Sequence, residues 1–292
     1  MAAVQSPITL TADVPQLHSL HLDLLRLTTE VSRNHSLLVD VQGTVRRLQE
    51  TQLSFSERAG ALALAEALRP RRVLGRNKVR IGSTHDGGYV LLDDVEAMSA
   101  VLSGGAGDNV EFEIDLAKVG LDVHVYDHTV EQLPGAALGP RITFFKEPLG
   151  PDGTELEVAL DRLGRDGDDL LLKIDIDGGE WELFVAAGAV LPRFRQIALE
   201  LHGLHEVGDT VWRERALKAL TVINSTHAPV HAHPNNYGAY AIVGGVPLPD
   251  ILEVTFARRD SYQFIDEDTA SEPPLDQPND PHRPEYSLGL FR

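Results

Sequence analysis

Cysteine is absent from these 292 residues. That removes disulfides, thiolate nucleophiles and zinc-thiolate sites together, and it leaves the redox compartment unmarked. Positive charge is scarce: 26 lysines and arginines stand against 44 aspartates and glutamates, a net charge of -18. Such a surface repels phosphate backbones and anionic headgroups, so nucleic acid and membrane are disfavoured as partners and small neutral or cationic ligands are favoured. Long apolar runs are missing too, with none approaching the roughly 18 residues of a membrane span. The opening Met-Ala-Ala-Val-Gln-Ser-Pro has no basic stretch followed by an apolar block, so an unexported, cytoplasmic protein is expected.

The chain is long enough to bury a full core, as one large domain or as one domain with an appendage. The appendage is read at residues 1–70. Leu17, Leu24, Val31, Leu38 and Val45 share one heptad position, and Leu20, Leu27, Val41 and Leu48 share the position three later, with Asn34 as the interruption. Asp13, Pro15 and Gln16 mark a helix start. Sustained spacing of this kind predicts a helical arm that pairs two copies into a homodimer, with Asn34 fixing the register. Gly43 and the sparse flanking charges leave a helical hairpin packed on its own domain as the alternative. Six basic residues between Arg69 and Arg80 read as solvated surface, as partners of neighbouring carboxylates, or as a holder of an anionic group.

From residue 71 to 265 strand and helix patterns alternate. Strands are predicted over 100–104, 122–127, 141–146, 169–175 and 195–201, with a helix after each of the first four, including 109–119, 154–163 and 179–187. Two further strands, 239–243 and 252–258, flank Gly244-Gly245-Val246-Pro247-Leu248-Pro249 and suit an antiparallel pair. The fold class is therefore α/β, a Rossmann-like, mostly parallel seven-stranded sheet with an antiparallel last pair and ligands at the carboxyl ends of its strands. Residues 266–292, acidic and proline-rich, read as an extended tail.

The strand over 100–104 runs into Gly105-Ala106-Gly107-Asp108-Asn109, and Asp127 falls 20 residues beyond Gly107 at the end of the next strand. This spacing suits a carboxylate on a ribose hydroxyl. The third glycine of the dinucleotide fingerprint is missing, since Val110 stands in its place. A cofactor without a pyrophosphate therefore fits better than NAD, and S-adenosylmethionine is one. Candidate cofactor contacts are Ser103, Gly104, Gly105, Gly107 and Asn109 on the loop, Asp127 and His128 after the second strand, and Glu147 after the third.

Alternate residues of a strand share a face, so Lys173, Asp175 and Asp177 point together at the end of the fourth parallel strand, as Glu200 and His202 do at the end of the fifth. Carboxylates inside apolar runs are costly unless paired or liganded. Asp175 and Glu200 are candidate ligands for a divalent ion, magnesium or manganese, and candidate catalytic groups together with His202, His231 and His233; the expected base is one of His202, His205, His231 and His233. Asp86, Tyr89, Asn235, Asn236 and Tyr237, in two polar segments, are candidate substrate contacts.

Asp86-Gly87-Gly88-Tyr89-Val90, Leu102 to Asn109, Tyr126-Asp127-His128-Thr129, Lys173 to Trp181, His233 to Gly238 and Leu252 to Phe256 occur in this order. Together, over about residues 79–260, the chain resembles the FkbM-type methyltransferases. The resemblance implies a class I methyltransferase fold using S-adenosylmethionine and a bacterial enzyme that methylates hydroxyl groups of sugars or natural products. It implies cofactor contacts at Gly105, Gly107 and Asp127 and an active site bordered by Asp175 and Glu180. Gly179 departs from the family's more usual alanine, and the arm before residue 70 lies outside the resemblance. Two other readings remain open from the residues alone: an NAD-dependent oxidoreductase of a small molecule, and a non-catalytic coiled-coil protein with a relic cofactor fold.

Overall fold

The computed structural model describes residues 14–134, 139–150, 152–165, 167, 169–265 and 275–291. The chain divides into two units, Met1–Leu53 and Ser54–Arg292. Helix α1 (Val14–Ala67) is unbroken through Gly43, so no hairpin forms in it. In the first unit the heptad residues Leu20, Leu24, Leu27, Val31, Leu38, Val41, Val45 and Leu48 are 47–65% exposed. Asp13, the expected cap, lies outside the described residues. In the second unit Ala61, Leu64, Ala65 and Leu68 belong to the main core.

The second unit is built on a seven-stranded sheet. In chain order its strands are β4 (Ala100–Gly104), β5 (Asp122–Tyr126), β6 (Ile142–Phe145), β7 (Leu170–Ile174), β8 (Phe194–Leu201), β9 (His227–Val243) and β10 (Val246–Arg258). Their spatial order is β6-β5-β4-β7-β8-β10-β9. The first five run parallel, and β10 is antiparallel to both β8 and β9. The order reverses between β4 and β7, where a doubly wound sheet opens a crevice. Short pairs flank the sheet: β2 (Lys78–Gly82) with β3 (Gly88–Leu92), and β1 (Arg72–Val73) with β11 (Phe264–Ile265).

Both sheet faces are covered, which is why β4 and β7 are buried along their whole length. Leu170, Leu172, Ile174, Leu199, Leu252 and Val254 join one core with residues of α3 (Leu156–Leu163), α4 (Glu180–Ala186) and α5 (Thr210–Thr226). Leu171 and Ala198, pointing the other way, join a second core with Tyr89 and Leu91 of β3 and with Phe112 and Leu116 of α2 (Glu111–Lys118). Lys173, Asp175, Glu200 and Glu253 alternate onto this second face, beneath the β2–β3 pair.

Two expectations differ from the structure. Among the described residues no helix lies between β5 and β6; the connection is made of bends and turns. The polar segment 231–238 is part of the 17-residue β9, and the closing pair is far longer than the expected 239–243 and 252–258. An edge strand needs no continuous apolar sequence and tolerates Pro229 and Pro234 because one side of its ladder is open. Its hairpin turns at Gly244 and Gly245, with φ of +55° and +76°, a pair of left-handed conformations that glycine adopts without strain. Helix α5 was not anticipated, although Asp209 caps it by accepting a hydrogen bond from the Trp212 amide at 2.8 Å. Of the basic cluster, Arg69, Arg76 and Arg80 form ion pairs with Glu66, with Asp93 and Asp94, and with Asp276.

Candidate functional site

A cleft of ≈ 710 Å³ lies at the strand reversal, with Gly105, Gly107, Asp127, His128, Asp175 and Asp177 among its walls. Gly105 sits at φ +74°, and a Cβ there would lie 1.6 Å from the Asp175 carbonyl oxygen. Only glycine lets β4 turn this tightly past β7. At Gly107, by contrast, a Cβ would meet nothing within 4 Å, so this part of the loop faces open space.

Asp127 ties the loop down. Its Oδ2 accepts from the amides of Ala106 and Gly107 at 2.9 and 2.8 Å, and its Oδ1 accepts from the Thr129 amide and hydroxyl at 2.7 and 2.6 Å. Burial raises the pKa of this carboxyl, but the hydrogen bonds from Thr129, Ala106 and Gly107 outweigh burial and hold it down at about 2.

Asp175 connects the cleft to a buried polar cluster. Tyr89 Oη donates to its Oδ2 at 3.0 Å and Lys173 Nζ lies 3.4 Å away, also bonded to the Gly105 carbonyl. Burial pushes Asp175 up, yet the Lys173 charge and a hydrogen bond with Glu200 bring it below its ordinary value. Glu200 moves the opposite way: burial and the charges of Asp175 and Glu253 raise it well above the usual carboxylate range. Asp175 thus carries the charge and Glu200 retains the proton. One donor atom each of Asp175, Glu200 and His202 fall within 4.8 Å of one another, a grouping able to hold a metal ion.

His202 is oriented by Glu180. This fully buried carboxylate accepts from the Gly178 amide at 2.8 Å and the His202 amide at 2.6 Å, and faces His202 Nδ1 at 3.2 Å. That contact leaves Nε2 for the cluster, with Asp177 3.7 Å from it. Burial lowers the imidazole pKa, but the bond to Glu180 and the surrounding carboxylates raise it above 6.5.

The row continues across the sheet. Glu253 pairs in register with Glu200 on one side and with His233 on the other. Glu253 faces His233 Nδ1 at 3.3 Å and accepts a bond from Asn279. Burial lowers His233, but the carboxylates of Glu253 and Glu285 overcome this and lift it to about 10. His231 pairs with Asp276. The histidine that meets the cleft cluster is therefore His202, while His231 and His233 stand further along the row, tied to Asp276 and Glu285 of the C-terminal segment.

Other candidates have local roles. The Ser103 hydroxyl donates to Glu113 at 2.6 Å and both are buried, and Gly104 packs in β4 beside Leu149 and Ile174. Asn109 accepts from the Glu111 amide and donates to the Asp86 carbonyl, joining the start of α2 to the β2–β3 turn. Glu147 is taken up by Thr154 and Arg162. Asn235 bridges Asp86 and Glu200. Asn236 donates to the carbonyls of Asp280, Arg283 and Pro284, and Tyr237 is half-exposed with the Arg283 guanidinium 5.8 Å from its ring centre. Glu253 and Asn279 were not singled out from sequence. Glu253 carries the same signal as Asp175 and Glu200, a carboxylate in an apolar strand, whereas nothing in the proline-rich tail marks Asn279.

No family model and no curated protein matches the chain. Solved structures do match, among them one described as "Putative hemolysin from Streptococcus thermophilus", 13% identical over 60% of this chain and 72% of that chain with a TM-score of 0.29, a superposition too poor to carry an argument. Among the described residues no helix is long and apolar enough to cross a membrane.

Proposed function

We propose that this protein is an S-adenosylmethionine-dependent O-methyltransferase of class I fold, acting in the bacterial cytoplasm on a hydroxyl of a sugar, oligosaccharide or glycosylated natural product. The observation that carries the reading is the lining of the cleft. Among its described residues it has five carboxylates, Asp127, Asp152, Asp175, Asp177 and Glu182, and no lysine or arginine. A cationic sulfonium and ammonium suit such walls, while a pyrophosphate would meet repulsion without a counter-charge, which disfavours NAD. Support also comes from the strand order, which in chain terms is third-second-first-fourth-fifth-seventh-sixth, the order of class I methyltransferases.

In this reading the Gly105–Gly107 loop and Asp127 hold the cofactor, which when bound supplies an electrophilic methyl group. Asp175, Glu200 and His202 hold a divalent ion, magnesium or manganese, whose charge lowers the pKa of an acceptor hydroxyl. Glu180 fixes the His202 tautomer and ring. Tyr89 and Lys173 keep Asp175 ionised and in place. The exposed heptad face of α1 pairs two chains into a homodimer.

The test is a thermal-shift and calorimetric comparison of S-adenosylhomocysteine with NAD. Only S-adenosylhomocysteine should raise the melting temperature and release binding heat. A response to NAD alone favours the oxidoreductase reading, and silence with both favours a non-catalytic interaction protein. Turnover on an oligosaccharide panel should fall on chelation with EDTA and return with Mg2+.

A further inference from the structure

Between Leu20 and Leu48 the heptad face of α1 is two apolar columns broken once. Leu24, Val31, Leu38 and Val45 form one column, and Leu20, Leu27, Val41 and Leu48 form the other, where Asn34 takes the remaining place. All of these side chains are exposed. The flanks of the columns are suited to burial: the hydroxyls of Thr28, Thr44 and Thr51 donate to the carbonyls of Leu24, Asp40 and Arg47 at 2.7, 2.9 and 2.8 Å, so they need no partner from water. Charges lie elsewhere on the helix, as in the Arg46 and Glu50 pair on its far side.

Asn34 discriminates between the ways two such faces can meet. An amide buried against an apolar side chain loses its bonds to water and gains none. In an antiparallel pair each residue of one column faces the other column of the second copy. An antiparallel pair that covers the stretch from Leu20 to Leu48 therefore strands Asn34 against a leucine or valine. In a parallel pair each residue faces its own column. In register, Asn34 meets Asn34, and each amide can donate to and accept from the other. A slip of one heptad sets it against Leu27 or Val41 instead.

The flanking charges favour the same direction. Glu30 stands one residue before the first column and His35 one residue after the second, and these two positions meet across a parallel pair in register. The carboxylate then accepts a hydrogen bond from the imidazole on each side of the seam. In an antiparallel pair like flanks meet, and the flank of Glu30 carries Asp23, Leu37 and Thr44 but no cation.

We propose that two copies of α1 associate in parallel and in register, with Asn34 paired to Asn34 and Glu30 to His35 across the seam. This rests on the homodimer reading above and gives it a direction. Because α1 runs unbroken from the first unit into the second, both chains enter their second units from the same end of the seam.

The chain has no cysteine, so a single introduced thiol can pair only with its own copy. Leu27→Cys and Leu48→Cys, made separately in the full chain, replace exposed side chains of the first unit. In a glutathione disulfide buffer both variants should cross-link into dimers, while light scattering gives the mass of two chains. A disulfide needs Cα atoms within about 7 Å. An antiparallel pair can bring position 27 or position 48 against its own copy but not both, because the two lie about 30 Å apart along the helix. A parallel slip of one heptad parts like positions by about 10 Å and cross-links neither. Asn34→Leu should lower both yields, as other orientations compete, while raising the stability of the dimer; unchanged yields would overturn the part given to Asn34. A two-chain mass with cross-linking at one position or neither overturns the parallel pair and leaves the homodimer. A one-chain mass removes the homodimer itself, and a three-chain mass overturns the two-helix seam.

Discussion

Asp127 and Glu200 are both buried carboxylates, and their neighbours drive them in opposite directions. Four donors converge on Asp127, so it is ionised at any ordinary pH. Replacing it by Asn turns one of its two acceptor oxygens into an NH2 donor that faces other donors. Asp127→Asn should cost about 1–3 kcal/mol in urea unfolding and weaken S-adenosylhomocysteine binding by calorimetry at least tenfold. Glu200 and His202 hold their protons above their ordinary values, and a metal must displace those protons. Mn2+ affinity should therefore rise with pH, and go on rising above the imidazole's ordinary 6.5, and Glu180→Gln, which slackens His202, should lower it about 10–100-fold. An affinity independent of pH would exclude these ligands. At this scale the sequence was informative where charge interrupts an apolar strand, as at Asp175 and Glu200. The Glu180 contact to His202 depends on the turn through Asp177 and Gly178, both at positive φ, and no spacing rule reports it.

Elements show the same division between pattern and context. The buried parallel strands β4, β7 and β8 read from apolar runs, because a strand covered on both faces is mostly apolar, whereas β5 reads from alternation, with Asp122 and His124 on its less buried face. β9 did not, since an edge strand whose one face meets Glu253 and the C-terminal segment can be made of His, Pro and Asn. Helix α5 escaped notice because its apolar residues form only a weak stripe, although Asp209 supplied a start signal. Two predictions belong here. Gly105→Ala forces a side chain into the Asp175 carbonyl at φ +74°; the backbone conformation alone costs about 1–3 kcal/mol, and melting temperature and cleft binding should fall together. In α1, Leu24→Asp with Leu38→Asp should shift the mass in light scattering to that of one chain without altering the melting of the second unit. An unchanged mass rules out the heptad seam as the dimer contact.

For the molecule as a whole, acid should act in two stages. His227 is buried against the Phe194 carbonyl, and burial holds its pKa at about 4 instead of 6.5. The unfolded chain then binds the extra proton between those values, so stability is lost as pH falls from 6.5 to 4. Asp127, depressed from 3.8 to about 2, adds its loss below 3.8. Glu200, raised above its ordinary value, has the opposite slope in part of this range, so the first limb should appear as the difference between the denaturant midpoints of the wild type and of His227→Gln, a difference that stays constant through the second limb. The sheet beneath all this is two-sided in its duties. Leu172, Ile174, Leu199 and Leu201 answer to the helices, whereas Lys173, Asp175 and Glu200 belong to the polar cluster under the β2–β3 pair, which meets the cleft at Asp175. Odd and even positions of one strand are thus under unrelated demands, and a slip of a single residue in β7 would trade them wholesale, thrusting ionisable groups into grease and leaving leucines where charges now pair.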